Sequence, residues 1–124
     1  MRLALTISSI ALAIFGFTCL TLWHSIRKGT IKRNGSFGIR SDATMKSDAA
    51  WTAGHQAAAP ILRTFGSLDI AMAVMLVALD FAMPNLNSNF ILAIRLITYT
   101  IAFGGLLFAM KRANAAAKAV NHSR

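Results

Sequence analysis

Three consecutive segments decide the fold: ILRTFGSLDIAMAVMLVALDFAM at 61–83, the link PNLN at 84–87, and SNFILAIRLITYTIAFGGLLFAM at 88–110. Each apolar stretch holds 23 residues. As an α-helix, that is about 35 Å long and exceeds the roughly 30 Å hydrocarbon core of a bilayer. The link is uncharged and begins with Pro-Asn, which favours a tight turn between antiparallel helices. These residues therefore predict a hairpin of two membrane-spanning helices.

A further span precedes this hairpin. Residues 3–26 are 24 residues without a formal charge, again long enough to cross a bilayer. A cleaved signal peptide is the alternative, because Arg2 supplies a minimal positive n-region. The apolar stretch is long, however, and no clear small-x-small cleavage site ends it. We predict an all-α integral membrane protein with one membrane domain, 1–124, and three spans at 3–26, 61–83 and 88–110.

Composition and charge agree with lipid as the solvent. Of the 124 residues, 56% are hydrophobic and only 14% are charged, while the net charge is +9. Lys and Arg gather in the loop 27–60 and the tail 111–124, whereas the link 84–87 has none. The positive-inside bias then predicts a cytoplasmic loop and tail with the N-terminus outside. No groove-reading motif or aromatic platform accompanies the charge, so we expect no nucleic-acid partner.

Basic residues at the start of the loop predict contact with anionic lipid. Arg27, Lys28, Lys32 and Arg33 follow the first span closely, and each basic residue near a membrane surface contributes about 1 kcal/mol of attraction. Arg63, at the edge of the second span, is expected to snorkel to the cytoplasmic headgroups.

Catalysis and metal binding have little support in the sequence. Cys19 is the single cysteine, which excludes an internal disulfide, and no Cys or His cluster has metal-ligand spacing. No Ser/His/Asp or Cys/His arrangement has an interpretable spacing. We therefore expect no enzyme activity, no metal and no cofactor.

The loop contains the most specific pattern, KRNGSFGIR at 32–40 followed by SDATMKSDAAW at 41–51. Asn34-Gly35 is a strong turn signal, and Gly38 is a second point of backbone freedom. Thr44 or Ser47 is expected to cap a helix that starts just after it.

That helix would place three polar or aromatic residues on one face. Asp48, Trp51 and His55 are spaced i, i+3 and i+7, and Asp48 in the first turn is favoured by the helix dipole. Trp51 would lie in the membrane interface, with Asp48 and His55 available to Arg40 or to lipid headgroups. Pro60 comes where the helix either stops or bends into the second span.

These residues resemble the defining stretch of the SdpI family of Sdp-type toxin immunity proteins, an Asn–Gly–Ile–Arg turn followed by Thr, Ser, Trp and His. The matching positions are Asn34, Gly38, Ile39, Arg40, Thr44, Ser47, Trp51 and His55. The order of a first span, this loop and two further spans is similar to the C-terminal region of that family. The resemblance implies a multi-span bacterial membrane protein that gives immunity to a secreted peptide toxin. It also implies signalling, in which the immunity protein holds a transcriptional repressor at the membrane.

Three ionisable residues within the spans form a second candidate site. Asp80 lies roughly 5 Å and Arg95 roughly 10 Å from the outer turn, so we expect them to pair. Asp69 lies roughly 20 Å deep by the same rise per residue. It is either protonated, bonded to a hydroxyl such as that of Thr18 or Thr21, or paired with a basic loop residue. Its role is then either proton or ligand sensing, or that of a hydrogen-bonded structural acid.

Three functions remain open. The first is a small SdpI-type protein that binds a peptide toxin or a protein at the membrane, with the Arg40–Trp51–His55 loop as its contact or signalling surface. The alternative to a contact surface is that this loop only forms a compact hairpin, which fixes the two helices that it joins. The second is an accessory subunit of a larger membrane complex, since small residues on the third span allow close helix packing: Ala102, Gly104, Gly105 and Ala109. The third, a proton-coupled transporter or channel using Asp69, is least favoured because broken helices and internal repeats are lacking.

Overall fold

A computed structural model describes residues 2–123 and contains four helices: α1 (Arg2–Arg27), α2 (Asp42–Met45), α3 (Asp48–Ala82) and α4 (Ser88–His122). Within this range there is no β-strand. Three of the helices, α1, α3 and α4, are long and apolar enough to cross a membrane. The predicted all-α membrane fold is therefore confirmed.

Helix α3 lies between α1 and α4 and runs antiparallel to both. Near the turn at 83–87, Leu12 of α1 packs with Ala73 and Leu76 of α3. At the opposite end, Leu22 packs with Leu62. We call the end with the turn 83–87 the turn end, and the end that carries residues 28–47 the basic end.

The distribution of side chains is inverted relative to a water-soluble bundle. Polar residues lie inside: Asp69 and Ser9 are completely buried, and Arg95 and Thr98 are nearly so. Large apolar side chains cover the outside of the spans, which is what lipid as a solvent allows. The exposed ones include Ile7, Ile14, Phe17, Val74, Phe90, Leu96, Ile97 and Phe103.

Glycines bring the spans into backbone contact. A Cβ on Gly16 would lie 2.7 Å from the carbonyl oxygen of Gly66, and a Cβ on Gly66 would lie 2.9 Å from that of Gly16. Gly105 of α4 is covered by the Phe65 ring. Of the four small α4 residues that suggested packing against another protein, Ala102, Gly105 and Ala109 are buried in this chain and only Gly104 is exposed.

Helices α3 and α4 continue beyond the bilayer at the basic end. Each has 35 residues, about 52 Å of helix, against a hydrocarbon core of about 30 Å. Pro60 neither stops α3 nor separates an interfacial helix from the span, because α3 is continuous from Asp48 to Ala82. The segment predicted as a tail, from residue 111 onwards, is helical as far as His122, and its Ala113 and Ala117 are fully buried.

Candidate functional site

The polar structure at the basic end is the first candidate site, and we call residues 28–60 and 111–122 the cap. Its turn is held by the Asn34 side chain. The Asn34 oxygen accepts hydrogen bonds from the N–H groups of Ser36 (2.8 Å) and Phe37 (2.7 Å). Its amide nitrogen donates to the carbonyls of Lys32 and Phe37. The predicted Asn-Gly turn is therefore present, and a side chain rather than a strand pairing fixes it.

Gly38 lets this turn lie directly on α3. Its φ of +119° belongs to the region that favours glycine. A Cβ at this position would lie 2.7 Å from Nε2 of His55 and 2.9 Å from Cη2 of Trp51. The loop backbone consequently covers both rings, and no larger residue fits.

His55 is held by two hydrogen bonds inside the cap. Its Nε2 accepts from the N–H of Ile39 at 2.9 Å, and its Nδ1 faces the carbonyl of Trp51 at 2.8 Å. This pattern requires the neutral ring with its proton on Nδ1. Burial lowers the pKa of His55, and the bond to the Trp51 carbonyl opposes that shift only in part. The prediction that His55 is available to Arg40 or to headgroups is wrong, because the loop covers it.

Trp51 and Asp48 also differ from expectation. Trp51 is 1% exposed, stacks on His55 with ring centroids 4.1 Å apart, and donates from Nε1 to the Ile31 carbonyl. It is thus a core residue of the cap and does not lie in the membrane interface. Asp48 pairs with Nε of Arg33 at 2.9 Å and stays exposed, so its basic partner is Arg33 rather than Arg40, and its contact with headgroups stays a prediction.

The remaining polar signature residues start the two helices of the loop. Ser41 caps α2, where Thr44 completes a capping box and also donates to the Ile39 carbonyl. Ser47 caps α3 by accepting from the N–H of Ala50 at 3.0 Å. The prediction of a cap at Ser47 is confirmed, whereas Thr44 belongs to the additional short helix α2.

Two asparagines of α4 complete the cap and were missed by sequence reasoning. Ser41 donates to the side-chain oxygen of Asn114, and Asn121 donates to the carbonyl of Ala43 at 3.0 Å. Their spacing of seven residues in an Ala-rich basic segment places them on one helix face. That spacing was the available signal that this segment packs against the loop.

Two side chains of the loop 32–40 point outward, and the cap also carries an open cleft. Phe37 is 36% exposed, and Arg40 is exposed and donates to the Gly35 carbonyl. The cleft has a volume of about 490 Å³, and Gly29, Ile31, Lys32, Arg33, Asp48, Trp51 and Thr52 line it. A guanidinium, an aromatic ring and a mixed polar cleft are groups that recognise peptide or protein surfaces.

The second candidate site lies in the membrane near the turn end. Nη2 of Arg95 contacts both carboxylate oxygens of Asp80, at 2.7 and 2.5 Å. The predicted pair is therefore present. Nη1 of Arg95 additionally donates to the hydroxyls of Ser8 and Ser9 and to the carbonyl of Leu5. One guanidinium thus joins all three spans.

Asp69 is different, because neither of its carboxylate oxygens has a hydrogen-bond partner although the residue is fully buried. Asp69 lies beside the α1–α3 crossing, where a Cβ added to Gly16 would be 2.9 Å from the Cβ of Asp69. Thr18 and Thr21 donate to carbonyls of their own helix. The ion pairs of residues 2–123 are Arg33–Asp48 and Arg95–Asp80. The predicted hydroxyl and basic-loop partners of Asp69 are therefore wrong.

The basic residues expected at lipid differ in their surroundings. Arg33 pairs with Asp48 and donates to the Met45 carbonyl at 2.7 Å. Arg27 lies over the Trp23 ring, while Lys28 and Lys32 are exposed.

Three spans that bury polar residues, together with an ordered polar cap, define a small multi-pass membrane protein of the type that the loop motif implied. Comparison with protein families matches residues 30–110 to the SdpI/YfhL protein family. The chain belongs to this family. The matched range covers nearly all of the loop 27–60, all of α2 and α3, and most of α4. No curated protein and no solved structure matches the chain.

Proposed function

We propose that this chain binds a protein or peptide partner at the membrane through its cap, in peptide-toxin immunity or in the signalling linked to it. The observation that carries the proposal is that the loop around the family motif has an inward and an outward side: Arg40 of the motif and its neighbour Phe37 are exposed, while other motif residues are buried. Gly38, Trp51 and His55 face inward and hold the loop in one shape. Phe37 and Arg40 face outward on that rigid loop, which is the arrangement of a recognition surface.

The proposed location is a bacterial cell membrane, with the N-terminus outside and the cap in the cytoplasm. The concentration of Lys and Arg at the basic end supports this orientation. A secreted toxin would then meet the turn end first, whereas a cytoplasmic protein would meet the cap. The orientation therefore favours a cytoplasmic signalling partner for the cap.

Co-purification tests this proposal. The chain is extracted in a gentle detergent, and stoichiometric partners are identified by mass spectrometry. Phe37→Ala and Arg40→Gln should each reduce retention about tenfold, as expected for an outward contact worth about 1.4 kcal/mol. Lys118→Gln, which changes an exposed charge elsewhere on the cap, is the control and should retain the partner. Equal retention by all three variants would contradict the proposal.

A challenge experiment addresses immunity separately. A deletion strain exposed to a secreted peptide toxin should become sensitive, and the wild-type gene should restore resistance. If the Arg40→Gln variant restores resistance as completely as the wild type does, immunity does not depend on the outward surface of the cap.

An accessory subunit of a larger complex is the second candidate, and a groove between α1 and α4 favours it. The groove has a volume of about 210 Å³ and is lined by Ala11, Leu12, Phe15, Tyr99, Ala102 and Phe103. Loss of a stoichiometric partner with Phe103→Ala, but not with Phe37→Ala, would favour this candidate. Transport through Asp69 has less support, because the α1–α3 backbone contact encloses that carboxyl.

A further inference from the structure

A cleft between α1 and α3 at the basic end carries two guanidinium groups on one indole ring. The Cζ atoms of Arg27 and Arg63 lie 5.5 and 5.4 Å from the Trp23 ring centroid. The cleft has a volume of about 400 Å³, and Ala59, Pro60 and Thr64 complete its lining. We propose that this cleft binds the phosphate of an anionic phospholipid, with Arg27 and Arg63 as its donors.

The charge distribution favours an anion at this position. Since both Cζ atoms lie close to the same centroid, they are at most about 11 Å apart. In residues 2–123 the ion pairs are Arg33–Asp48 and Arg95–Asp80, so neither arginine of the cleft has a carboxylate. Both arginines line the same cleft, so a phosphate bound there can accept hydrogen bonds from a guanidinium group and offset the local positive charge.

The contacts of the lining residues leave Arg27 and Arg63 as the hydrogen-bond donors of the cleft. Packing against the indole holds each guanidinium in place by cation–π attraction and leaves its N–H edges free. The hydroxyl of Thr64 donates to the Pro60 carbonyl at 3.0 Å, so its proton is already used. The two arginines are therefore the donors that the cleft offers to a phosphate.

The depth of the cleft identifies the phosphate as that of a lipid. Arg63 lies 19 residues from the end of α3 at Ala82, which is about 28 Å of helix. Trp23 lies 20 residues from Leu3, about 30 Å. Both lengths equal the hydrocarbon thickness, so the cleft is level with the headgroups opposite the turn end, where tryptophans concentrate. Exposed Phe17 and Leu68 offer the acyl chains an apolar surface deeper in the bilayer.

Brominated lipids provide the test, because bromine quenches tryptophan fluorescence at short range. The full chain is reconstituted in phosphatidylcholine vesicles that contain equal fractions of either acyl-brominated phosphatidylglycerol or acyl-brominated phosphatidylcholine. Trp23 is half-buried beside the cleft, whereas Trp51 is enclosed in the cap. We expect stronger quenching by brominated phosphatidylglycerol, corresponding to about a tenfold preference for the anionic lipid.

The double variant Arg27→Gln/Arg63→Gln should remove this preference. The control Lys111→Gln/Arg112→Gln removes the same charge from exposed positions of α4 and should retain it. Equal quenching by the two lipids, or equal loss of preference in both double variants, would overturn the proposal. The preference should persist when inorganic phosphate is added, because the acyl chains hold the lipid phosphate at the cleft; displacement of the lipid by inorganic phosphate would overturn the preference for a lipid phosphate over free phosphate. Should the double variant fail to fold, Arg63→Gln alone, at an exposed side chain, replaces it with the same expected and contrary results.

Discussion

Replacing Gly38 by alanine tests how the cap is built. Two costs add at this position. An L residue held at a φ of +119° costs about 1–3 kcal/mol. The new Cβ would also lie 2.7 Å from Nε2 of His55, and overpacking of this kind costs about 1–3 kcal/mol.

The clash falls on an atom that is already a hydrogen-bond acceptor. If the loop moves away, the Ile39–His55 hydrogen bond is lost, at about 1 kcal/mol. We therefore expect Gly38→Ala to destabilise the cap by about 3–5 kcal/mol while the membrane spans stay folded.

Two other loop glycines serve as matched controls. Gly35 has open space around it and no positive φ, so Gly35→Ala should be nearly neutral. Gly29 also has open space but has a φ of +67°, so Gly29→Ala should show the backbone cost alone. The series separates backbone strain from the clash with His55.

Hydrogen exchange in detergent is the assay, because it reports individual amides. In wild type the Ile39 amide should be protected together with the first turns of α3. In Gly38→Ala its protection should fall by at least two orders of magnitude, while amides in the middle of α3 stay protected. Unchanged protection of Ile39 would refute the proposed packing of the loop on His55.

Three further predictions concern His55, Arg95 and Asp69. Burial lowers the pKa of His55, so the folded cap binds fewer protons than the unfolded chain, and its thermal stability should be constant above pH 6.5 and fall below that pH. His55→Gln should abolish this pH dependence. A melting temperature of the wild type that stays unchanged from pH 8 to pH 5 would contradict the lowered pKa. Arg95→Gln should lower the free energy of unfolding by about 3–5 kcal/mol because it leaves Asp80 buried without its cation. The double variant Arg95→Gln/Asp80→Asn should recover part of that stability. A double variant no more stable than Arg95→Gln would argue against a stabilising ion pair. Asp69→Asn should keep the protein level unchanged, since no ion pair or hydrogen bond is lost; if partner retention also stays unchanged, Asp69 is not a functional site.

The spans and the Asp80–Arg95 pair were predictable because helical rise is fixed. Once residues 61–83 and 88–110 are assigned to helices joined by a short link, depth follows from counting, and an intramembrane acid and base at similar depth are expected to pair. The three α1 acceptors of Arg95 were not predictable in this way. Their placement depends on how α1 packs against the hairpin, which no short-range pattern specifies.

The interior of the cap was predictable only in part. Helical periodicity placed Trp51 and His55 on one face, but it does not tell which segment covers that face. The covering segment depends on the positive φ of Gly38 and on the extension of α4, whose Asn114 and Asn121 hold the loop. Long-range packing of this kind explains why the predicted lipid-facing surface is a protein core instead.

Photo-crosslinking from position 37 in living cells tests the proposed recognition surface most directly. A photoreactive amino acid replaces Phe37 in one strain and Lys118 in another, since both side chains are exposed on the cap. We predict a discrete crosslinked product of higher mass from position 37 and none from position 118. No product from position 37, or the same product from both positions, would contradict the assignment of the outward loop surface as the partner-binding site.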